Sequence, residues 1–150
     1  KHLIMKKLLL ILALVMTMTV GVSARDEYSR DASILPIAAK TTISKNFKAD
    51  VSLIKIEKTL GHIKEYEVIL TDGTEISFDS KGNWENIETP NNKSVPSNFI
   101  PNSISEFVKK NQSGAKIVGI EKEHNGYDVE LSNGIEMKFD KNGNFKRYDD

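Results

Sequence analysis

The chain has 150 residues, enough for one ordinary domain or two small ones, and equal numbers of basic and acidic residues, 21 of each. All three charged residues in positions 1–24 are lysines, so residues 25–150 carry a net charge of −3. Because a weakly acidic protein repels the phosphate backbone, we expect no nucleic-acid partner. The chain has no cysteine, which excludes disulfides, thiolate metal sites and a cysteine nucleophile.

Residues 1–24 have the pattern of a secretory signal peptide. Lys6 and Lys7 precede an apolar run from Leu8 to Val20, and small residues lead up to Ala24. The run is shorter than the ~20 residues that span a bilayer. We therefore predict cleavage after Ala24, no stable membrane insertion afterwards, and a periplasmic or secreted protein. The polar residues 25–34 are expected to form a flexible N-terminus.

The rest of the chain contains the same pattern twice. Residues 66–84 and 127–145 share Tyr, Val, Leu, Gly, Glu, Phe, Asp, Gly and Asn at identical spacing. Upstream, residues 56–58 and 120–122 are both Ile-Glu-Lys. We predict two repeats, 35–88 and 100–150, joined by a linker at 89–99. Because about 50 residues bury little core, the two copies are expected to share one sheet or one core.

Each repeat is predicted to be a helix followed by four strands, which is an α+β fold. Pro36 and Pro101 suit a first helical position, and apolar residues follow each of them at helical spacing. Strands are expected near 51–58, 65–71, 74–79 and 84–88, and near 115–122, 126–132, 135–140 and 144–148. The helices are expected to pack on one face of an antiparallel sheet and to leave its other face open.

The turns around Gly73 and Gly134 determine which residues lie on that open face. A two-residue turn would place the apolar residues of neighbouring strands on opposite faces. A three-residue loop pairs Val68 with Ile76 and Val129 with Met137, which places all of them on one face. This register leaves seven polar or charged residues and one apolar residue, Ile69, on the open face; the seven are Glu67, Glu75, Ser77, Asp128, Glu130, Glu136 and Lys138. Glu130 is expected directly opposite Glu136.

These motifs resemble the beta-lactamase-inhibitor-like, PepSY-like proteins of Gram-negative bacteria, over nearly all of residues 35–150. The residues that carry the resemblance are Leu35, Pro36, Tyr66, Val68, Leu70, Asp72, Gly73, Phe78, Asp79, Gly82, Asn83 and Trp84. The resemblance implies a tandem helix-plus-sheet fold similar to beta-lactamase inhibitor protein. It also implies restraint of a peptidase as an expectation at family level, and it supplies no catalytic residue. The second copy departs from the pattern with Phe145 in place of Trp84.

Several candidate sites have simpler structural explanations, which we favour. Asp79 and Asp140 lie in turns that resemble the start of a calcium loop, but a hairpin turn capped by Asp also explains them. His62 and His124 lack a third metal ligand and are expected to be solvated. The paired carboxylates Glu67 with Glu75 and Glu130 with Glu136 would suit a hydrolase only in a desolvated cleft, and an open sheet face is expected to provide none.

The sequence thus favours an exported, non-enzymatic module that binds a protein or peptide, such as a peptidase or other hydrolase, on the open face. The candidate contact residues are Trp84, Ile69, Glu67, Glu75, Glu130, Glu136 and Phe145. Trp84 would be either a binding anchor or a core residue. No cofactor, metal ligand or catalytic residue is assigned. The alternatives are a small-ligand or divalent-cation module and a carboxylate-dependent hydrolase.

Overall fold

The computed structural model describes residues 26–149. The predicted signal peptide and its cleavage site lie outside these residues. The elements in chain order are β1 (Glu27–Ser29), a 3-10 turn (Ala32–Ile34), α1 (Ile37–Asn46), β2 (Val51–Thr59), β3 (His62–Leu70), β4 (Glu75–Asp79), β5 (Trp84–Glu88), a second 3-10 turn (Ser97–Phe99), α2 (Asn102–Asn111), β6 (Ile117–Glu123), β7 (Gly126–Leu131), β8 (Glu136–Asp140) and β9 (Phe145–Asp149).

The strands form one antiparallel sheet of nine strands, in which the spatial order β1 to β9 is the sequence order. One α-helix precedes β2–β5 and the other precedes β6–β9. The buried side chains of both helices, such as Ala39 and Ile104, belong to the same hydrophobic core as the inward residues of the sheet. The expectation of an α+β fold with one shared core is therefore met. No helix in residues 26–149 is long and apolar enough to cross a membrane.

The predicted hairpin register is confirmed in both halves of the sheet. Val68 pairs with Ile76 and Val129 pairs with Met137. The loops have three residues, closed by hydrogen bonds such as Leu70 N–H to the Thr74 carbonyl, 2.8 Å. Gly73 and Gly134 adopt φ values of +86° and +83°, which only glycine tolerates well. Burial of the apolar residues on one face thus determined the register correctly.

The alignment of the two Ile-Glu-Lys segments was wrong in register. The structure pairs Ile54 with Val68 and Ile120 with Val129, so Ile54, not Ile56, occupies the position of Ile120. Bulges lie between Val51 and Leu53 in β2 and at the corresponding place in β6, but β2 has a further irregularity after Glu57. This additional shift lies inside the segment 56–58, and a match of residue types does not reveal it.

Two segments outside the hairpins also contact the sheet. Near the N-terminus, Tyr28 lies in β1 and pairs with Lys55 of β2. The linker 89–99 follows the sheet, because the N–H groups of Thr89 and Val95 donate to carbonyls of β6 at 2.7 and 2.8 Å. Helices α1 and α2 begin one residue after Pro36 and Pro101, since each proline has an extended ψ. The sequence analysis had placed both prolines inside the first helical turn.

Candidate functional site

The open face of the sheet contains five of the seven candidate contact residues. Glu67, Ile69 and Glu75 lie on it in the first half, and Glu130 and Glu136 lie on it in the second half. Glu130 and Glu136 are directly opposite each other, as predicted. Trp84 and Phe145, by contrast, belong to the helix-covered side. The structure therefore brings the carboxylates together and separates them from the aromatic candidates.

Trp84 packs against the hydrophobic core. It pairs with Phe78, and its ring meets Phe99 edge-on with 5.4 Å between ring centroids. The ammonium group of Lys122 lies 3.7 Å from the Trp84 ring centroid and donates to the Trp84 carbonyl at 3.1 Å. Trp84 is therefore a half-buried core residue with a cation over its exposed face.

Phe145 occupies the corresponding place in the second half. It stacks on Phe107 of α2 with a centroid distance of 4.4 Å and also contacts Phe139 and Tyr148. These contacts explain why both halves of the sheet have an aromatic residue after a Gly-Asn turn. The aromatic residue fills the space between helix and sheet.

The open face is organised in two rows of side chains that run across the strands. We call the first the mixed row; from β1 to β9 it contains Tyr28, Lys55, Glu67, Ser77, Asn86, Glu121, Asp128, Lys138 and Arg147. It contains three acids, Glu67, Glu121 and Asp128, and three cations, Lys55, Lys138 and Arg147. Lys55 lies 3.5 Å from Glu67 and 2.6 Å from Glu57, and Lys138 contacts Asp128. The charges of the mixed row are thus largely neutralised within the protein.

The second row, which we call the glutamate row, contains Ile69, Glu75, Glu88, Gly119, Glu130, Glu136 and Asp149 on β3 to β9. It has five acids and no basic residue. Asp149 is 3.4 Å from Lys138 and 3.5 Å from Arg147. In the described part of the chain, the four glutamates have no basic group within 4.0 Å. Two like-charged pairs, Glu75 with Glu88 and Glu130 with Glu136, therefore lie side by side, which destabilises the sheet.

Burial raises the pKa values of these glutamates. The pKa of Glu88 rises to about 7, first through desolvation and then through the charges of Glu130, Glu121 and Glu136, although Asn86 donates a hydrogen bond that opposes the shift. The pKa of Glu75 also rises to about 7, through desolvation and the charges of Glu88 and Glu67.

The pKa values of two further carboxylates on the open face are also raised. Desolvation and the neighbouring charge of Glu136 raise the pKa of Glu130. Desolvation raises the pKa of Glu67 to about 7 although Lys55 lowers it. The expectation that an open sheet face provides no desolvation was therefore wrong. Long side chains on neighbouring strands of a wide sheet cover one another, and the register of a single hairpin does not reveal this effect.

Glu88 and Gly119, which the sequence pattern did not single out, join the two halves of the glutamate row. Strand β5 pairs with β6, so that Glu88 is opposite Gly119, and Gly119 is opposite Glu130 on β7. A Cβ atom at Gly119 would lie 3.2 Å from the Glu130 Cβ and 3.7 Å from the Glu88 Cγ. The side chains of Glu88 and Glu130 thus lie close over Gly119, and all three residues line a cavity of about 30 Å³. That volume holds one or two water-sized groups but no organic substrate.

One compact group of carboxylates lies at the other end of the open face. Oxygen atoms of Glu57, Glu65 and Glu67 lie within 4.8 Å of one another, the only such group of potential metal ligands in residues 26–149. Lys55 already contacts Glu57 and Glu67. The hydrogen bond from Lys55 lowers the pKa of Glu57, the opposite direction from Glu67. The group is thus an acidic cluster neutralised in part by its own lysine.

The remaining candidates have structural roles or no visible role. One carboxylate oxygen of Asp79 accepts the N–H groups of Lys81 and Asn83 at 2.8 and 2.9 Å, and Asp140 caps the second turn in the same way. These hydrogen bonds explain the Asp-containing turns without a calcium ion. His62 and His124 are exposed, and neither belongs to a metal-ligand group within the described residues.

Comparison with known proteins places this geometry in a family. The model of the family described as "Putative beta-lactamase-inhibitor-like, PepSY-like" matches residues 64–147. None of the curated proteins matches the chain. Solved structures of bacterial proteins resemble it closely in fold and in sequence.

Three of these structures come from Bacteroides. A "putative periplasmic protein of unknown function" from Bacteroides vulgatus is 46% identical, with a TM-score of 0.79, covering 84% of this chain and 100% of its own. A "putative calcium-regulated periplasmic protein" from Bacteroides thetaiotaomicron is 36% identical, with a TM-score of 0.75 and coverages of 83% and 97%. A second Bacteroides vulgatus protein, described as "putative periplasmic", is 31% identical, with a TM-score of 0.73 and coverages of 87% and 100%.

Proposed function

Because the chain belongs to the beta-lactamase-inhibitor-like, PepSY-like family, we propose that it is an exported, non-enzymatic module that binds a protein or peptide on its open sheet face. The observation that carries the proposal is the glutamate row. Four half-buried glutamates lie together without a basic partner among residues 26–149, on the face that the helices leave uncovered. Clustered, desolvated acids destabilise a folded protein unless a partner compensates them, and such sites are typically functional.

Export is supported by two independent observations. Residues 1–24 have the pattern of a signal peptide, and all three Bacteroides structures are described as periplasmic proteins. We therefore place the mature protein in the periplasm or outside the cell, after cleavage following Ala24. N-terminal sequencing of the exported protein checks the cleavage site.

The size and shape of the site support binding rather than catalysis. Raised pKa values at Glu75 and Glu88 would suit acid–base chemistry, so the acids alone do not decide the question. The cavity beside them, however, holds about 30 Å³, too little to enclose and orient a substrate. An extended row that a partner covers from outside suits a docking surface. Inhibition of a peptidase or other hydrolase is a narrower form of this proposal, motivated by the family description.

A capture experiment with matched charge-reversal variants tests the proposal. Mature protein from Arg25 onward is immobilised and exposed to periplasmic extract of the native host. We expect specific, saturable capture that Glu75→Lys/Glu136→Lys abolishes and Glu106→Lys/Glu123→Lys retains, because the second pair is exposed and lies outside the glutamate row. Equal capture by both variants would show that the open face is not the binding surface. A captured hydrolase is then assayed for inhibition.

We also infer that the two halves are tandem copies of one unit. The order of helix and four strands occurs twice, and both halves share the hairpin register, the bulge and the three-residue loop. Expression of residues 25–99 and 89–150 as separate chains tests whether one copy folds alone. We expect neither to do so, since a single core joins them.

A divalent cation is the second candidate ligand. The Bacteroides thetaiotaomicron structure is described as calcium-regulated, and Glu57, Glu65 and Glu67 offer the oxygen ligands that calcium prefers. Lys55 competes with a cation for this group. We therefore expect calcium to raise the melting temperature of Lys55→Met more than that of the wild type. Melting temperatures that do not differ between calcium and chelator, in both proteins, would exclude this candidate.

A further inference from the structure

The four glutamates of the glutamate row differ in one respect from four other acids of the open face. Glu57 and Glu67 contact Lys55, and Asp128 and Asp149 contact Lys138. The protein thus supplies its own cations at both ends of the face and supplies none within 4.0 Å of Glu75, Glu88, Glu130 or Glu136, as far as residues 26–149 extend. When these glutamates are ionised, the cations that compensate them must come from outside residues 26–149.

The spacing of the row fits an extended chain better than a compact ion. Glu75, Glu88, Glu130, Glu136 and Asp149 lie on strands β4 to β9. Five interstrand steps of about 4.8 Å give the row a length of about 24 Å. Side chains on one side of an extended segment repeat every ~6.7 Å, so about four alternate residues span the row.

Gly119 lies at the middle of the row and lines a small cavity together with Glu88, Glu130 and Glu136. It separates the Glu75–Glu88 pair from the Glu130–Glu136 pair, and its cavity of about 30 Å³ admits the tip of one side chain. The four glutamates do not form a group with three ligand oxygens within 4.8 Å; in the described residues only Glu57, Glu65 and Glu67 do so. The row therefore suits several separate positive charges better than one directly coordinated metal ion.

From this charge pattern and spacing, and resting on the function proposed above, we propose that the occupant of the open face is an extended polypeptide segment with Lys or Arg at alternate positions, bound across the glutamate row with one basic side chain over Gly119. Binding replaces repulsion between neighbouring glutamates by attraction to the partner's cations. Such charge complementarity determines specificity and association rate, and it weakens as salt screens the charges.

A titration with a synthetic peptide tests the proposal on the mature protein. The probe is a blocked peptide of alternating Lys and Ser, about eight residues long. The readouts are amide chemical shifts and calorimetric affinity at low ionic strength and about pH 8, where the glutamates are ionised. We expect shifts in β4 to β9 and an affinity about tenfold lower in Glu88→Gln/Glu130→Gln. The matched control, Glu57→Gln/Glu65→Gln, removes the same charge and is expected to change the affinity less than about threefold.

Several results would overturn the proposal. An equal loss of affinity in both double variants would mean that the peptide senses only net charge, and shifts confined to other strands would place it elsewhere. Spermine binding as tightly as the peptide would show that the row recognises free polycations, not a polypeptide segment. Glutamine keeps the size and hydrogen-bonding capacity of glutamate, so both variants are expected to fold, which thermal melting verifies. If the captured partner depends on the glutamate row but lacks a basic segment, this inference fails and the proposed function stands.

Discussion

The two halves of the open face have the same hairpin register but differ in the arrangement of their charged side chains. In the first half, Leu53 of β2 pairs with Ile69 of β3. At the matching position in the second half, Gly119 of β6 pairs with Glu130 of β7. The first half thus closes one end of the glutamate row with apolar side chains. In the second half, Gly119 lines a small cavity, and Glu130 lies beside it.

The lysines differ between the halves in the same way. Lys55 lies on β2, one strand before Glu67, whereas Lys138 lies on β8, one strand after Asp128. Each half therefore neutralises its acid in the mixed row, but from opposite sides. The same strand register and bulge can therefore carry different arrangements of charged side chains.

The largest expected effect tests whether the halves share one core. Phe78 and Phe139 are 0% and 2% exposed and occupy matching positions in β4 and β8. Truncation to alanine in either half is expected to cost about 3–5 kcal/mol of unfolding free energy, through lost burial and the remaining cavity. Because the core is continuous, each variant should unfold in a single denaturant transition. A second transition in either variant would show that the halves are independent.

The next effect distinguishes the two glycine turns that contact the helices. Gly82 and Gly143 have φ values of +88° and +78°. A Cβ at Gly82 would lie 2.8 Å from the backbone nitrogen of Ala39, whereas at Gly143 it would meet the movable hydroxyl of Ser103. We expect Gly82→Ala to cost about 2–4 kcal/mol and Gly143→Ala about 1–2 kcal/mol, measured by urea denaturation. Equal losses of unfolding free energy would mean that the backbone of α1 moves away from a new methyl group as easily as the Ser103 hydroxyl does.

The sequence predicted the hairpin register well and the surroundings of the acidic residues poorly, for a physical reason. Alternating apolar residues and the three-residue loops specify each hairpin locally, so Val68 with Ile76 and Val129 with Met137 were predicted correctly. The pairing of β5 with β6 joins residues that are distant in the chain, and a helix separates the two strands. Without that pairing, neither the contact of Glu88 with Gly119 nor the desolvation of the acids could be predicted.

The aromatic positions show a similar limit. Phe145 follows a turn at which a bulge shifts the register between Lys138 and Phe139. The bulge changes the face to which the next residue points, so a period of two does not assign its direction. The core position of Trp84 and Phe145 therefore follows only from contacts with helical and linker residues such as Phe107 and Phe99.

A pH-dependent effect is expected at the junction of the halves. The pKa of Glu88 in the folded protein, about 7, exceeds its ordinary value of 4.5, so between these pH values the folded state retains a proton that the unfolded state has released. Stability from this group is complete below pH 4.5 and is lost as pH rises through about 7. Glu88→Gln is therefore expected to stabilise the protein by about 1–2 kcal/mol at pH 8 and to have little effect at pH 4.

The corresponding change in the first half sharpens this test. Glu67 also has a pKa raised to about 7, but Lys55 lies 3.5 Å away. Glu67→Gln relieves the desolvated charge and also removes an ion-pair partner of Lys55. Urea denaturation at the two pH values should therefore give a smaller gain for Glu67→Gln than for Glu88→Gln. A larger gain at Glu67 would mean that Lys55 does not neutralise its end of the face.

The smallest expected effect concerns Trp84, the aromatic residue that corresponds to Phe145 in the second half. Trp84→Phe makes the first half resemble the second, retains the core contact with Phe99, and weakens the interaction with Lys122. The hydrogen bond from Lys122 to the carbonyl of residue 84 does not depend on the side chain. We therefore expect a loss of about 0.5–1 kcal/mol in the free energy of unfolding. Capture of the partner should be unchanged, because Trp84 lies on the side opposite to the glutamate row. Loss of capture in a folded Trp84→Phe protein would instead extend the binding surface to the helix-covered side.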